Sequence, residues 1–166
     1  LVLSQHHKKS DLAYTLSCFS TEPFTLGRPS SLLKSPRSVC GRWSAGRIGG
    51  PVGSRSFFQN PMFAVTIRGN KTILQLRCST AKTVAVNIMM LAVPTGTPLS
   101  KYRNAANGKP ILDSGNYRHG FVVTEPKIVH EGTYVVIVSN WSSQGGEFTL
   151  CVGSSTENIG EVIPIP

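Results

Sequence analysis

The chain has 166 residues, of which 40% are hydrophobic and 15% charged, so it can bury a core and does not have the composition of a disordered segment. Its formal net charge is +9, and eight of the 17 Lys and Arg residues precede Gln59, against two acidic residues. A basic surface of this kind favours anionic partners such as phospholipid headgroups, acidic peptides or nucleic acid. No apolar run reaches the length that a membrane-spanning helix needs.

The sequence is interpreted as one domain over residues 1–166. Residues 1–10 are polar and basic and are predicted to be disordered, whereas residues 11–20 alternate in polarity and predict an early strand. Residues 21–56 are rich in Ser, Gly, Pro and Arg without helical periodicity, which predicts a long irregular segment. The chain begins at Leu1 rather than at Met, which suggests an excised piece or a processed form.

From Phe63 onward the pattern becomes that of β-strands. Residues 63–67 and 72–78 flank a short Gly-Asn turn and predict a hairpin. Residues 83–93 form the most apolar run and predict a strand buried on both faces, and residues 132–138 predict a late central strand. Short strands at this spacing, without an amphipathic helix, indicate an all-β fold, namely an antiparallel β-sandwich of about eight strands.

A stretch between Gly41 and Phe63 combines glycines, a tryptophan and an Asn-Pro pair ahead of the first strong strand. We expect Trp43 and Phe58 to anchor this long loop in the core, since large aromatic side chains are usually buried. Pro61 suits the first position of a strand because it has no N–H to donate to a ladder. The positions that carry the pattern are Gly41, Trp43, Gly49, Gly50, Asn60 and Pro61.

Two later segments extend this pattern. Residues 114–121 read Ser-Gly-Asn-Tyr-Arg-His-Gly-Phe, with Tyr117, Gly120 and Phe121, and the chain closes with Gly-Glu-Phe-Thr-Leu at 146–150 and Val-Ile-Pro-Ile-Pro at 162–166. In this order the motifs resemble the distal C2-like, domain III-like β-sandwich of calpain-type cysteine proteases of the PalB branch. Ile48 departs from the pattern, because that family usually has Ala before the Gly-Gly pair.

The resemblance implies a non-catalytic regulatory or interaction domain of an intracellular endopeptidase whose Cys-His-Asn site lies in another domain. It implies a cytoplasmic location with endosome association. The expected partners are the other domains of the parent protease, ESCRT-III-type proteins and acidic phospholipids. It implies no cofactor.

No catalytic or metal site is predicted within the chain itself. Cysteine protease chemistry needs a thiolate, an activating His and an orienting Asn or Asp, and Cys40-Gly41-Arg42-Trp43 lacks that context. A C2-type calcium site needs several carboxylates, but the aspartates are only Asp11 and Asp113. Cys-x-x-Cys spacing, typical of zinc sites, is also absent from the sequence.

The four cysteines permit two disulfides in three connectivities. Cys78 and Cys151 each close an apolar run, and we interpret both as reduced thiols in the core. Cys18 and Cys40 lie in the first third of the chain.

The excess positive charge predicts a basic face that meets an acidic membrane or an acidic protein segment. The residues proposed for it are Arg42, Arg47, Arg55, Lys71 and Arg103. No apolar insertion loop is evident. The alternative is an ordinary solvated surface.

Two other functions fit parts of the sequence. A secreted accessory β-sandwich, of the carbohydrate-binding or pre-peptidase C-terminal type, is suggested by the Asn70 and Asn140 sequons and the even cysteine count. A nucleic-acid binder is suggested by charge alone. Because few aromatic residues are interleaved with the basic ones, no nucleic-acid partner is expected.

Overall fold

The computed structural model describes Thr15 and residues 17–25, 36–106, 108–142 and 144–166. The chain divides into two units, residues 1–30 and 31–166. The described residues of the first unit carry no helix or strand. The strand predicted over 11–20 lies partly outside the described residues and is not formed by those that are described, and the predicted disorder of 1–10 lies outside them altogether.

The second unit contains eleven strands in its described residues, joined into two antiparallel sheets. The strands are β1 (Arg37–Trp43), β2 (Met62–Ile67), β3 (Thr72–Thr80), β4 (Ala85–Ala92), β5 (Leu112–Asp113), β6 (Arg118–His119), β7 (Phe121–Val123), β8 (Lys127–Val129), β9 (Gly132–Asn140), β10 (Gly146–Ser154) and β11 (Ile159–Ile165). The short helix α1 covers Tyr102–Ala105, and 3₁₀ turns cover Phe57–Gln59 and Leu99–Lys101. Among described residues, no helix is both long and apolar enough to cross a membrane.

The two sheets confirm the predicted antiparallel β-sandwich. The five-stranded sheet runs in the order β1-β10-β3, with β7 and β8 both pairing with the far side of β3. The six-stranded sheet runs in the order β11-β2-β9-β4, with β5 and β6 both pairing with the far side of β4. The strands in excess of the expected eight are mainly β5 to β8, which have two or three residues each and leave too short a pattern to detect.

Strand β1 corrects one part of the sequence interpretation. It lies within residues 21–56, which were predicted to be irregular throughout, so that prediction is wrong for Arg37–Trp43. The strand was missed because it is an edge strand with little buried apolar surface. Trp43 is buried, whereas Val39 and Gly41 are half-buried and the other four residues are exposed.

The predicted hairpin is also wrong, because β2 and β3 belong to different sheets. Strand β2 pairs with β9 and β11, while β3 pairs with β10, β7 and β8. The turn at 68–71 therefore carries the chain from one sheet to the other, and Lys71 adopts a left-handed backbone angle in it (φ 56°). A Gly-Asn turn between alternating strands is compatible with either connection, so the local sequence did not distinguish them.

The core lies between the two sheets and explains the alternation in the five-stranded one. Leu74, Leu76 and Cys78 of β3 point inward and are buried, while Gln75 and Arg77 point outward. Strand β10 follows the same rule, with Phe148, Leu150 and Val152 buried. The outer face of this sheet is open to solvent over much of its area.

The six-stranded sheet is buried on both faces. Its second face carries Met62, Met89 and Ile137, which form a separate apolar cluster with Phe57 from the β1–β2 loop and residues of the segment around α1. This confirms that the apolar run at 83–93 contains a strand buried on both sides, and that residues 132–138 form a central strand, since β9 lies between β2 and β4.

All four cysteines are free thiols. Cys78 is buried between the sheets as predicted, and burial raises its pKa to about 12. The same prediction is wrong for Cys151, which lies one strand position out of phase with the core residues of β10 and is half-buried on the outer face.

Candidate docking surface

Strand register brings several loops to one end of the sandwich, which we call the loop end. It consists of the β1–β2 loop (44–61), the β3–β4 turn (81–84), the β9–β10 loop (141–145) and strand β6 beside the start of β4. The register that places them together pairs Trp43 with Gly146, Thr80 with Phe148, Val86 with Asn140 and with Arg118, and Met62 with Ile137.

The β1–β2 loop is held by the side chain of Asn60, which is fully buried. Its Oδ1 accepts a hydrogen bond from the Gly49 N–H at 3.1 Å, and its Nδ2 donates to the carbonyls of Gly50 at 2.8 Å and Phe57 at 2.9 Å. A Cβ on Gly49 would lie 2.2 Å from the Ser56 carbonyl oxygen, so only glycine fits there. Gly50 has φ 72°, in the region that glycine adopts most easily. The loop is therefore long but rigidly closed.

Trp43 joins the two sheets at this end. Its side chain is 1% exposed, and its Nε1–H donates to the Val138 carbonyl of β9 at 2.9 Å. Its ring lies 4.5 Å from that of Phe148, and a Cβ on Gly41 would meet the same Phe148 ring at 2.3 Å. Val138 also donates its N–H to the Pro61 carbonyl at 3.0 Å, which places Pro61 at the entry to β2.

The second predicted anchor of the loop was the wrong member of an aromatic pair. Phe57 is 6% exposed and packs in the apolar cluster under the loop, whereas Phe58 is 41% exposed. The two residues lie in a single 3₁₀ turn, whose geometry turns one ring inward and leaves the other in solvent. An aromatic pair in a loop does not show from sequence which member is buried.

Tyr117 ties a further loop to the same end. Its hydroxyl lies 2.7 Å from the Ser139 Oγ and accepts the Val52 N–H at 2.9 Å, and burial raises its pKa. Its ring packs edge-on against Trp141 at a centroid distance of 5.4 Å. Trp141 itself is 62% exposed. An exposed aromatic side chain is thus presented on a rigid support.

Gly120 and Phe121 of the same motif have different environments. Gly120 has φ 76°, donates its N–H to the Val84 carbonyl at 2.9 Å and lies against the backbone of Lys82. It therefore closes the chain tightly onto the β3–β4 turn. Phe121 begins β7 and points outward, exposed on the open face of the five-stranded sheet.

Arg103 is a structural clamp as well as a cation. Its guanidinium donates to the carbonyls of Phe58, Asn60 (3.3 Å) and Pro166 (3.3 Å), so it links α1, the β1–β2 loop and the last residue. Burial, and secondarily the positive charge of Arg47, lower its pKa. Most of its hydrogen-bonding capacity is therefore directed at the protein rather than at a partner.

Of the basic residues proposed from sequence, the structure places four at or near the loop end and one far from it. Arg47 and Arg55 are exposed on the β1–β2 loop, and Arg42 is exposed on β1 but forms an ion pair with Glu147 at 2.5 Å. Lys71 precedes β3, whose nine residues separate it from the loop end by about 30 Å at ~3.3 Å per residue. Including Lys71 in one face with Arg42 was wrong.

Other exposed residues of the loop end were not predicted from the sequence. Lys82 in the β3–β4 turn and Arg118 on β6 are exposed there, and so is Trp141. The described residues of these segments carry no carboxylate, and Glu147 lies just beyond them on β10. No sequence signal marks these residues, because they come from separate segments that meet through strand pairing alone.

The described residues contain no group of three or more His, Cys, Asp or Glu side chains able to hold a metal ion. The Cys40 thiol lies 4.0 Å from the Thr149 hydroxyl, which is not a general base. His119 and His130 are both exposed. We therefore assign no catalytic residue here.

The two sequons differ in accessibility. Asn140 is fully buried and its Nδ2 donates to the Gln144 carbonyl at 2.7 Å, so it cannot accept a glycan in the folded chain. Asn70 is exposed in the β2–β3 turn. Of the two sequons that suggested a secreted module, only Asn70 is therefore accessible to a glycan.

A scan against protein-family models finds no match. Curated proteins do match. The chain is 31% identical over 142 residues to the calpain-like protease palB/RIM13 of Aspergillus oryzae, which covers 85% of the chain and 16% of that protein. It is 26% identical over 154 residues to palB of Emericella nidulans (92% of the chain, 18% of that protein). It is 27% identical over 168 residues to calpain-7 of Sus scrofa (99% and 19%).

The chain thus spans less than a fifth of the length of these relatives. The matched segment covers most of the β-sandwich described above. Over most of its length, the chain is homologous to one segment of the calpain-like proteins palB and calpain-7.

Proposed function

We propose that the chain is a non-catalytic docking domain of an intracellular calpain-like cysteine endopeptidase, and that its loop end binds an anionic membrane surface. The homology to palB and calpain-7 supports membership of a calpain-like protein. The resemblance to PalB-type calpains favours a cytoplasmic protein recruited to endosomes beside ESCRT-III-type proteins. In this proposal the peptidase site lies in another part of the parent protein, and the sandwich directs where it acts.

One observation carries the membrane proposal. At the loop end, exposed cations come from three separate segments and an exposed tryptophan from a fourth, and the described residues of those segments carry no carboxylate. Arg47, Arg55, Lys82 and Arg118 are exposed there and form no side-chain hydrogen bond or ion pair with another described residue. Arg42 is discounted because Glu147 neutralises it, and Arg103 because it binds backbone carbonyls.

These charges predict weak binding that depends on salt. A Lys or Arg close to an anionic bilayer contributes on the order of 1 kcal/mol, so four give at most about 4 kcal/mol. Because the Debye length at physiological salt is about 8 Å, only cations that approach the headgroups contribute. These cations can approach the headgroups together only if the loops that carry them are rigid. The hydrogen bonds of Asn60 and Tyr117 hold the β1–β2 loop in place.

Exposed apolar side chains at the loop end add an apolar contribution to the electrostatic attraction between the chain and the membrane. Trp141, Phe58 and Val52 are all exposed on the loops of this end. Tryptophan prefers the membrane interface, where its ring lies among the headgroups. The sequence showed no apolar insertion loop, because these apolar side chains come from different loops rather than from one continuous run.

Co-sedimentation with liposomes tests the proposal. The chain should pellet with vesicles that contain phosphatidylserine, pellet little with phosphatidylcholine alone, and dissociate as salt is raised. The triple variant Arg47→Glu, Arg55→Glu, Lys82→Glu should lose binding. The control variant Arg68→Glu, Lys71→Glu, Lys127→Glu has the same net charge with the changes away from the loop end, and it should retain binding.

Trp141→Ala separates the two contributions, since it should weaken binding severalfold without removing its salt dependence. Equal pelleting with neutral and acidic vesicles, or equal losses in the two triple variants, would show that the loop end is not the membrane contact.

A further inference from the structure

The sandwich protects its open strand edges unequally. An edge strand exposes unpaired N–H and C=O groups, and proteins block such edges with short strands, bulges or proline. The edges formed by β5, β6, β7 and β8 are two or three residues long. Strand β11 shifts register between Ile159 and Val162 and contains Pro164. All of these edges therefore carry a recognised block to further pairing.

Strand β1 carries none of these blocks. Its seven residues pair with β10 in continuous register from Arg37 to Trp43, without a bulge or a proline. No described strand pairs with β1 on the side away from β10. Its charges are Arg37 at one end and Arg42, which is neutralised by Glu147.

A groove runs along this free edge, between β1 and β11. Its volume is about 590 Å³, and its lining includes Arg37, Val39, Arg68 and Val162. Val39 and Val162 are half-buried and pack against the core between the sheets. A strand added to β1 would place alternate side chains over these two valines, because successive side chains point to opposite faces.

The charges around the groove select the partner. Arg37 and Arg68 are exposed at its rim, and Glu161 is the one carboxylate among its lining residues. The whole chain carries a net charge of +9, which opposes pairing with a second copy. Opposite charge on the incoming strand is therefore favoured.

We propose that the free edge of β1 binds an extended acidic peptide segment as an added antiparallel strand. Apolar side chains at alternate positions of the segment cover Val39 and Val162, and carboxylates meet Arg37 and Arg68 at the rim. Backbone hydrogen bonds provide the affinity, while the alternation and the charge provide the selectivity, as in other cases of strand addition. This surface is separate from the loop end and does not depend on membrane binding.

Hydrogen exchange on the full chain tests the proposal with a defined probe. The probe is a capped seven-residue peptide of alternating Glu and Val, Glu-Val-Glu-Val-Glu-Val-Glu, with a fluorophore for anisotropy. In the free chain, alternate amides of β1 should exchange quickly, and excess peptide should slow them at least tenfold. The same peptide with Lys in place of Glu, or with its Val amides methylated, should bind about tenfold more weakly or not at all.

A charge exchange provides a test that does not depend on a buried substitution. The variant Arg37→Glu, Arg68→Glu changes two exposed residues and should reverse the preference, so that the Lys peptide binds more tightly than the Glu peptide. The matched variant Lys71→Glu, Lys127→Glu should keep the original preference.

Three results would overturn the proposal. The β1 amides could be protected already in the free chain, or remain unprotected with the peptide bound. The methylated peptide could bind as tightly as the unmodified one, which excludes a backbone ladder. Sedimentation could show that the chain dimerises through β1, in which case a second copy is the occupant.

Discussion

At the loop end, we expect Trp43 to contribute more than any other side chain to the packing of the two sheets against each other. It is 1% exposed, its ring packs on Phe148, and its Nε1–H donates across the sandwich to Val138. Truncation of a buried Trp to Ala typically costs about 3–5 kcal/mol. The lost hydrogen bond of about 1 kcal/mol is part of that cost. We therefore expect Trp43→Ala to lower the free energy of unfolding by about 4 kcal/mol.

The second tryptophan of the chain provides the control. Trp141 is 62% exposed and makes one edge-on contact with Tyr117, so Trp141→Ala should cost about 1 kcal/mol or less. Trp43→Phe should lie between the two, because it keeps an aromatic ring against Phe148 but loses the hydrogen bond to Val138.

Urea unfolding followed by far-ultraviolet circular dichroism measures these differences, since fluorescence would change with either substitution. With a urea dependence of about 2 kcal/mol per molar, a loss of 4 kcal/mol lowers the midpoint by about 2 M. Equal midpoints for Trp43→Ala and Trp141→Ala, or a shift below about 0.5 M for Trp43→Ala, would refute the assignment of Trp43 as the anchor.

Four further outcomes are expected. Burial raises the Cys78 pKa from 9.0 to about 12, so its contribution to stability is complete below pH 9 and is lost as pH rises towards 12. Over that range the unfolding free energy should fall more steeply with pH in the wild type than in Cys78→Ala, by up to about 1.4 kcal/mol per pH unit. Equal slopes for the two proteins would contradict the raised pKa of Cys78. Asn60→Ala removes three hydrogen bonds of a buried amide and should cost about 3 kcal/mol in urea unfolding, against about 0.5 kcal/mol for the exposed Asn70→Ala; similar losses would contradict the role of Asn60. The isolated chain should not cleave casein or a fluorogenic peptide, with or without calcium, and turnover abolished by Cys18→Ser or Cys40→Ser would overturn this. Calorimetry at millimolar calcium should show no saturable heat, because the sequence has only two aspartates, and a one-site isotherm would disprove the expectation.

Much of the sandwich could be predicted from local patterns. Residues 72–78 were predicted to form a strand and the continuous apolar run at 83–93 a strand buried on both faces, and β3 and β4 are these strands. A large buried aromatic was expected at Trp43 and is found there. These features are local, because the spacing of a strand's own apolar residues indicates which of its faces is buried.

The pairing partners of the strands could not be predicted from local sequence. The turn at 68–71 is local, but whether β2 pairs with β3 depends on β9, β10 and β11, which lie 60 or more residues further along the chain. Strand β1 was missed because its stability comes from pairing with β10 rather than from its own apolar residues. Both errors have one cause, since strand pairing is a contact between distant segments.

The candidate surface depends on that pairing even more strongly. Charge composition predicted a basic face. Arg47 and Arg55 are exposed at the loop end, but Lys71 lies at the opposite end, and Lys82, Arg118 and Trp141 were not identified. A residue joins a surface through the register of the strands that flank it, and a charge near it in sequence can lie about 30 Å away at the far end of a nine-residue strand. The kind of surface follows from composition, whereas its members follow from which strands pair, because pairing alone sets the distances between charges.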